Sequence, residues 1–148
     1  MFHRASQAVA IVAASLIVLH NGGVRAAEGG STGAPPAAGL YTEAQAERGK
    51  ALYAGACALC HGPEMGGGPA APALTGPEFQ FGWNGRSVGE LLEYVHKNMP
   101  PGQAGSLTDQ QYADVVAAML KTNNLLAGTT ELPVEIDQNQ STKLILAK

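Results

Sequence analysis

The sequence predicts an all-α domain in which three main helices are joined by long, ordered loops. Three segments begin with the pattern of a capping box, a Ser or Thr followed three positions later by Glu or Gln. These segments start at Thr42, Ser87 and Thr108, and each continues with apolar residues at helical spacing. A stretch rich in glycine and proline, residues 62–76, separates the first two segments and is expected to be a loop.

The first predicted helix carries a glycine on its apolar face. Gly49, Leu52, Tyr53 and Ala56 recur at offsets that place them together on one side of a helix. A glycine inside a helix costs about 1 kcal/mol relative to alanine. Gly49 therefore indicates close approach of another backbone, and a tolerated surface glycine is the alternative.

The second and third predicted helices have clear ends. The second should stop near Asn98, because Pro100 disfavours helical geometry at Met99. The third is the most clearly amphipathic segment and should end at Asn123. The apolar positions of the two helices are Val88, Leu91, Leu92 and Val95, then Tyr112, Val115, Val116, Met119 and Leu120.

Three aromatic residues lie between the first two helices, at Phe79, Phe81 and Trp83. Their alternation could indicate a short strand. The neighbouring residues Pro77 and Gly82 instead favour an apolar loop over this stretch.

The two cysteines of the chain lie in one motif, Cys57-Ala58-Leu59-Cys60-His61. This is the attachment pattern of a c-type haem. The two thiols can form thioethers with the two vinyl groups of one haem, and the imidazole that follows can then ligate the iron. The sequence thus predicts one covalent haem c, held through Cys57 and Cys60, with His61 as an iron ligand.

Other interpretations of the cysteine pair explain less of the motif. A disulfide between Cys57 and Cys60 would not require His61. A thioredoxin-like dithiol is expected near a βαβ pattern, and no such pattern surrounds it. A structural zinc site needs four nitrogen or sulfur ligands, and the sequence offers no fourth ligand at the usual spacing.

The organisation of the chain indicates export. Residues 1–26 resemble a signal peptide, with Arg4 before an apolar run and small residues at a cleavage position after Ala26. The run is shorter than the roughly 20 residues of a membrane span, although an uncleaved anchor is the alternative. We expect a periplasmic protein, without stable membrane insertion, comprising a flexible linker (27–40), a folded domain (41–124) and a C-terminal extension (125–148) that packs on or near it.

Composition restricts the choice of partners. The formal net charge is −3, which argues against nucleic acid because phosphate binding needs a basic face. The charges form no block of one sign that would steer a partner strongly. Redox encounters use small interfaces, so we expect weak docking of a monomer on protein partners.

Residues 42–123 resemble a class I cytochrome c, the fold of the small monohaem periplasmic cytochromes. The resemblance rests on the capped helices, the attachment motif after the first helix, and Met99-Pro100 before the last helix. It implies a fold in which three main helices wrap around one covalently attached haem. It also implies that the first and last helices cross at Gly49 and Tyr53, although Ala118 stands where an aromatic residue is common.

The resemblance also implies roles for four residues of the intervening loops. The carbonyl of Pro72 would accept a hydrogen bond from the second nitrogen of the His61 imidazole, which fixes the ring. Leu74 would pack on the haem face. Trp83 and Arg86 could donate hydrogen bonds to a haem propionate, and a core role for Trp83 is the alternative.

Four residues could provide the sixth iron ligand. Met65 follows His61 too closely to reach the far haem face easily, and Met119 lies on the apolar face of the last helix. His96 lies near a helix end, where a solvated imidazole is the usual outcome. Met99 is distant in sequence from His61, precedes two stiffening prolines and occupies the ligand position of the family.

The expected function is that of a one-electron carrier and not of an enzyme. An iron with both axial positions filled has no site for substrate, which leaves cycling between Fe(II) and Fe(III). Such a carrier would take electrons from a periplasmic or membrane dehydrogenase and pass them to an oxidase or another cytochrome. The alternative is a haem c protein with an open sixth site, which binds a gas or acts as a peroxidase.

Overall fold

The computed structural model describes residues 39–146, and the expected signal peptide and most of the expected linker lie outside them. The helices are α1 (Glu43–Ala56), α2 (Ala58–His61), α3 (Gly76–Trp83), α4 (Val88–Asn98) and α5 (Asp109–Thr122), followed by a 3₁₀ turn at Ile136–Asn139. Within this part of the chain the antiparallel bridge between Ser87 and Lys143 is isolated, and no strand forms. The prediction of an all-α domain with three main helices is confirmed.

The first and last helices pack directly on each other. Gly49 of α1 lies against the backbone of Asp114 in α5, and a Cβ atom at position 49 would overlap the Asp114 carbonyl. The prediction that Gly49 allows close approach of another backbone is therefore confirmed. The contact falls one helical turn before Ala118, which is itself buried.

Helix α5 forms the centre of the core. Residues 112–120 are all buried, and the predicted apolar faces of α4 and α5 both lie in the same core. The capping boxes at Ser87 and Thr108 are complete, with each side chain bonded as the pattern predicts. Helix α4 ends at Asn98, as expected from the proline that follows Met99.

The stretch expected to be an apolar loop is instead helical, so that prediction is wrong. Helix α3 spans Gly76–Trp83 and has Pro77 in its first turn. At this position the missing N–H of proline has no helical partner to lose, and its fixed φ suits the helix. Gly82 is tolerated because the space beside it is open.

The first predicted capping box is only half formed. Thr42 accepts the hydrogen bond of the Gln45 backbone N–H, as expected. The Gln45 side chain instead points inward, is fully buried, and bonds to Leu132 of the C-terminal segment. A long-range partner thus replaces the local bond that the sequence pattern predicts.

The segment after α5 runs back over the helices. Leu132, Leu144 and Leu146 are buried in the core, and Gly89 of α4 lies close to the Ile136 carbonyl. Near its end, the Leu144 amide donates to the Arg86 carbonyl at 2.8 Å. Across residues 39–146, no helix combines the length and apolar character needed to cross a membrane.

Candidate haem site

The attachment motif consists of Cys57, the capping residue between α1 and α2, and the one-turn helix α2 itself. Cys57 directly follows α1 and caps its C-terminal end, and its amide donates to the Tyr53 carbonyl at 2.9 Å. The amides of Cys60 and His61 both donate to the Cys57 carbonyl, at 3.1 and 3.0 Å. Both cysteines are free and half-buried. Burial, and secondarily the neighbouring Cys60, raise the pKa of the Cys57 thiol.

The His61 ring is held by a backbone oxygen. His61 is 7% exposed, and its Nδ1 lies 2.8 Å from the Pro72 carbonyl oxygen. An N–H at Nδ1 donates to that carbonyl, which leaves Nε2 as the nitrogen that can ligate a metal. The structure thus brings together the two residues that the resemblance paired.

The loop segment around Leu74 is fixed from two further directions. The Leu74 amide donates to the Met65 carbonyl at 2.8 Å, and Asn123 donates from Nδ2 to the Leu74 carbonyl at 2.9 Å. Leu74 itself is half-buried and packs on the core. The sequence identified Asn123 only as a helix end, and no local pattern reveals its bond to a loop 49 residues away.

A hydrogen bond from Tyr53, which the sequence did not predict, supports the attachment motif. The Tyr53 hydroxyl donates to the Gly62 carbonyl at 2.6 Å, directly after His61. Burial is the main cause that raises the pKa of Tyr53 to about 12. This side chain therefore remains a hydroxyl donor throughout the neutral pH range.

Met99 is the capping residue after α4 and is half-buried at the edge of the core. Its carbonyl accepts a hydrogen bond from the Tyr112 hydroxyl at 2.9 Å. Two turns follow it, with the Gln103 amide bonded to the Pro100 carbonyl and the Ser106 amide bonded to the Gln103 carbonyl. The thioether therefore projects from a backbone whose position is fixed.

The other candidate ligands are engaged elsewhere. Met65 and Met119 are 4% and 2% exposed and belong to the core cluster. His96 pairs with Asp109 of α5, with 3.3 Å between Nε2 and Oδ1, and its ring lies against Tyr112. Met65 and Met119 are therefore core residues, whereas His96 is held at the end of α4 by its contacts with Asp109 and Tyr112.

Trp83 and Arg86 lie next to each other. The Arg86 guanidinium stands over the Trp83 ring, 4.3 Å from its centroid, and is 3.4 Å from a Glu90 carboxylate oxygen. The Trp83 ring also meets the edge of Tyr94, with 5.5 Å between centroids. Stacking and the carboxylate together hold the guanidinium in place, although it remains exposed.

The residues present fit a covalently attached haem c. Two free thiols and one oriented imidazole stand within a single turn, which is the donor set that the cofactor requires. Cys57 and Cys60 would form the thioethers, and Nε2 of His61 would ligate the iron. The bond from His61 Nδ1 to the Pro72 carbonyl already fixes the ring as a metal-ligating imidazole needs.

Comparison with known proteins identifies the family of the chain. The family described as cytochrome c oxidase, cbb3-type, subunit III matches residues 44–117, half of the 148-residue chain. The chain belongs to this family of c-type cytochromes. The match runs from the start of α1 into α5 and so includes the attachment motif and the Met99 turn of this cytochrome.

Two relatives carry names from sulfur chemistry. The cytochrome is 33% identical over 106 residues to thiosulfate dehydrogenase of Stutzerimonas stutzeri, a match that covers 60% of this chain and 34% of the relative. It also resembles the crystal structure of the sulfane dehydrogenase SoxCD from Paracoccus pantotrophus, with a TM-score of 0.54 and 25% identity. That match covers 67% of this chain and 52% of the other. The cytochrome thus spans about a third of one relative and half of the other.

Proposed function

We propose that this cytochrome is a one-electron carrier and not an enzyme in its own right. The observation that carries the proposal is the His61 imidazole, fixed by the Pro72 carbonyl beside two free thiols. Haem, when bound, supplies the Fe(II)/Fe(III) couple. His61 and Met99 would occupy the two axial positions, which leaves no iron site for a substrate.

The surrounding residues would tune and orient the site. Leu74 is placed to pack on the haem face, and Trp83 and Arg86 are candidates for hydrogen bonds to a propionate. The stacked, exposed position of Arg86 beside Trp83 suits a group that neutralises a carboxylate at the protein surface. Met and His together favour a raised reduction potential.

The proposed partners are redox proteins. The names of the two relatives suggest a dehydrogenase of sulfur compounds as the electron donor, and an oxidase or another cytochrome would be the acceptor. Because this chain spans only part of each relative, we assign it the electron-carrying role and not the dehydrogenase reaction. We place the protein in the periplasm as a monomer, with the signal peptide cleaved after Ala26.

Docking would use a small and partly apolar surface near the attachment motif. Leu59 lies between Cys57 and Cys60 and is 96% exposed, so it is available to a partner that approaches the attachment motif. The net charge of −3 supplies little long-range attraction. The rate of reduction by a donor should therefore fall only mildly as ionic strength rises, and a steep fall would contradict this docking mode.

The experiment that tests the carrier proposal is a carbon monoxide titration of the reduced holoprotein. With Met99 on the iron, the spectrum should show a low-spin, six-coordinate haem and change little when the gas is added. A high-spin spectrum that shifts at once with carbon monoxide would instead identify the alternative, a haem c protein with an open sixth site. Extraction with acidified acetone should leave the haem on the chain, because the thioethers are covalent.

A further inference from the structure

The Tyr112 side chain connects α5 with the turn that carries Met99. Tyr112 is 1% exposed. Its hydroxyl donates to the Met99 carbonyl at 2.9 Å and accepts from the Gly105 amide at 2.8 Å. One hydroxyl thus bonds both ends of the loop 99–105.

The Tyr112 ring is itself held in place. The His96 ring lies against it, with 4.7 Å between centroids, and His96 is paired with Asp109 in the first turn of α5. Tyr112 also lines a small cavity of about 170 Å³ together with Val134 and Ile136 of the C-terminal segment. The hydroxyl therefore projects from a ring supported by α4, by α5 and by the C-terminal segment.

We propose that Tyr112 is the positioning residue for the Met99 thioether. This inference rests on the proposed function, in which Met99 is the sixth ligand. A methionine side chain has three rotatable bonds and adapts to its surroundings, so its sulfur is placed accurately only if its backbone is fixed. The bond from Tyr112 fixes the Met99 carbonyl, and the bond from Gly105 prevents the loop from swinging away.

The test compares two tyrosine variants of the holoprotein. Tyr112→Phe removes the hydroxyl that bonds the Met99 loop. Tyr41→Phe is the matched control, because Tyr41 is equally buried and its hydroxyl donates to the Leu125 carbonyl, away from the candidate haem site. The measured quantity is the rate at which cyanide binds the ferric protein, since cyanide can bind only after the methionine leaves the iron.

Tyr112→Phe should bind cyanide roughly tenfold faster than the unmodified protein, the change expected when one buried hydrogen bond is lost. Its sulfur-to-iron charge-transfer band should weaken, and Tyr41→Phe should change neither quantity by more than about twofold. A rate for Tyr112→Phe within about twofold of the unmodified protein, or an equal rise in both variants, would overturn the proposal.

A second measurement applies even if Tyr112→Phe does not fold. In the unmodified holoprotein the Gly105 amide should exchange its hydrogen slowly, because the Tyr112 hydroxyl protects it. Exchange at the rate of a free amide would overturn the proposal. Failure of the proposed function is distinguishable, since an unmodified protein that lacks the charge-transfer band and binds cyanide at once would have no Met99 ligand to position.

Discussion

Gln45 pairs with the backbone of Leu132 through both atoms of its side-chain amide. Nε2 donates to the Leu132 carbonyl at 3.1 Å, and Oε1 accepts from the Leu132 amide at 2.7 Å. Two backbone groups of the C-terminal segment are thus satisfied in the core by one side chain of α1. The pair fastens the last part of the described chain to its first helix.

Replacing Gln45 with alanine should therefore loosen the C-terminal segment. The change leaves the amide and the carbonyl of Leu132 without partners in a buried position, which should lower the free energy of unfolding by about 3 kcal/mol. Limited proteolysis should then cut within residues 125–146 first. Gln138→Ala, at an exposed position of the same segment, is the control and should leave both stability and proteolysis unchanged.

The close approach of Gly49 to Asp114 predicts a strict size limit in α1. Gly49→Ala places a methyl group against the Asp114 carbonyl, so the helices must separate, at a cost of about 3 kcal/mol. Gly55→Ala is the matched control, because Gly55 lies in the same helix with open space beside it. That control should stabilise the protein by up to about 1 kcal/mol. Urea unfolding of both holoproteins measures the difference, and equal effects would contradict the packing argument.

Met99 and Met65 offer a direct comparison of ligand and core methionines. Met99→Ala should abolish the sulfur-to-iron charge-transfer band, lower the reduction potential and open the iron to carbon monoxide, while the haem stays attached. Met65→Ala should keep the band and the potential but lose about 3 kcal/mol of stability, because Met65 is buried in the core. If Met65→Ala loses the band and Met99→Ala keeps it, the ligand assignment is wrong.

The capping box of α4 predicts a dependence of stability on pH. The backbone N–H of Ser87, and then its hydroxyl, hold the pKa of Glu90 below its usual value of 4.5. A carboxyl group whose pKa is lowered by folding stabilises the protein above its unfolded pKa and loses that contribution as the pH falls through the folded pKa. The stability difference between the unmodified protein and Glu90→Gln should be constant near neutral pH and shrink in acid. Urea unfolding at about pH 7 and about pH 3.5 checks this, and an equal difference at both values would refute it.

The sequence predicted the three helices with local start signals and missed the two without a side-chain cap, the one-turn helix α2 and helix α3. Helix α3 begins after Thr75, which makes no side-chain cap bond, so only the permissive position of Pro77 could have indicated it. The attachment motif and its candidate iron ligand, His61, could be identified from the sequence because the chemistry requires adjacent residues. The hydrogen bond between His61 and the Pro72 carbonyl was predicted from the family resemblance, because no local sequence pattern links residues 11 positions apart.

The long-range contacts that hold the site in place could not be predicted from local sequence patterns. Asn123, Tyr112 and the Gln45 amide each bond a backbone group on another element, between 13 and 87 residues away. Asparagine, tyrosine and glutamine are common at helix ends and on helix faces, so a local role could be assigned to each residue without its distant partner. Only the assembled core shows that these side chains fix loops.

The pairing of α1 with α5 also has a consequence for the order of events during biosynthesis. Arg48 and Asp114, which bond across this helix pair at 2.9 Å, are 66 residues apart. The helix pair can therefore close only after nearly the whole domain has been synthesised, because α5 (Asp109–Thr122) follows most of the domain in the chain. Cys57 and Cys60 both precede α5, so both thiols are present in the chain before the helix that packs on α1. The topology thus leaves an interval in which the proposed haem would be joined to the chain before the helix pair closes.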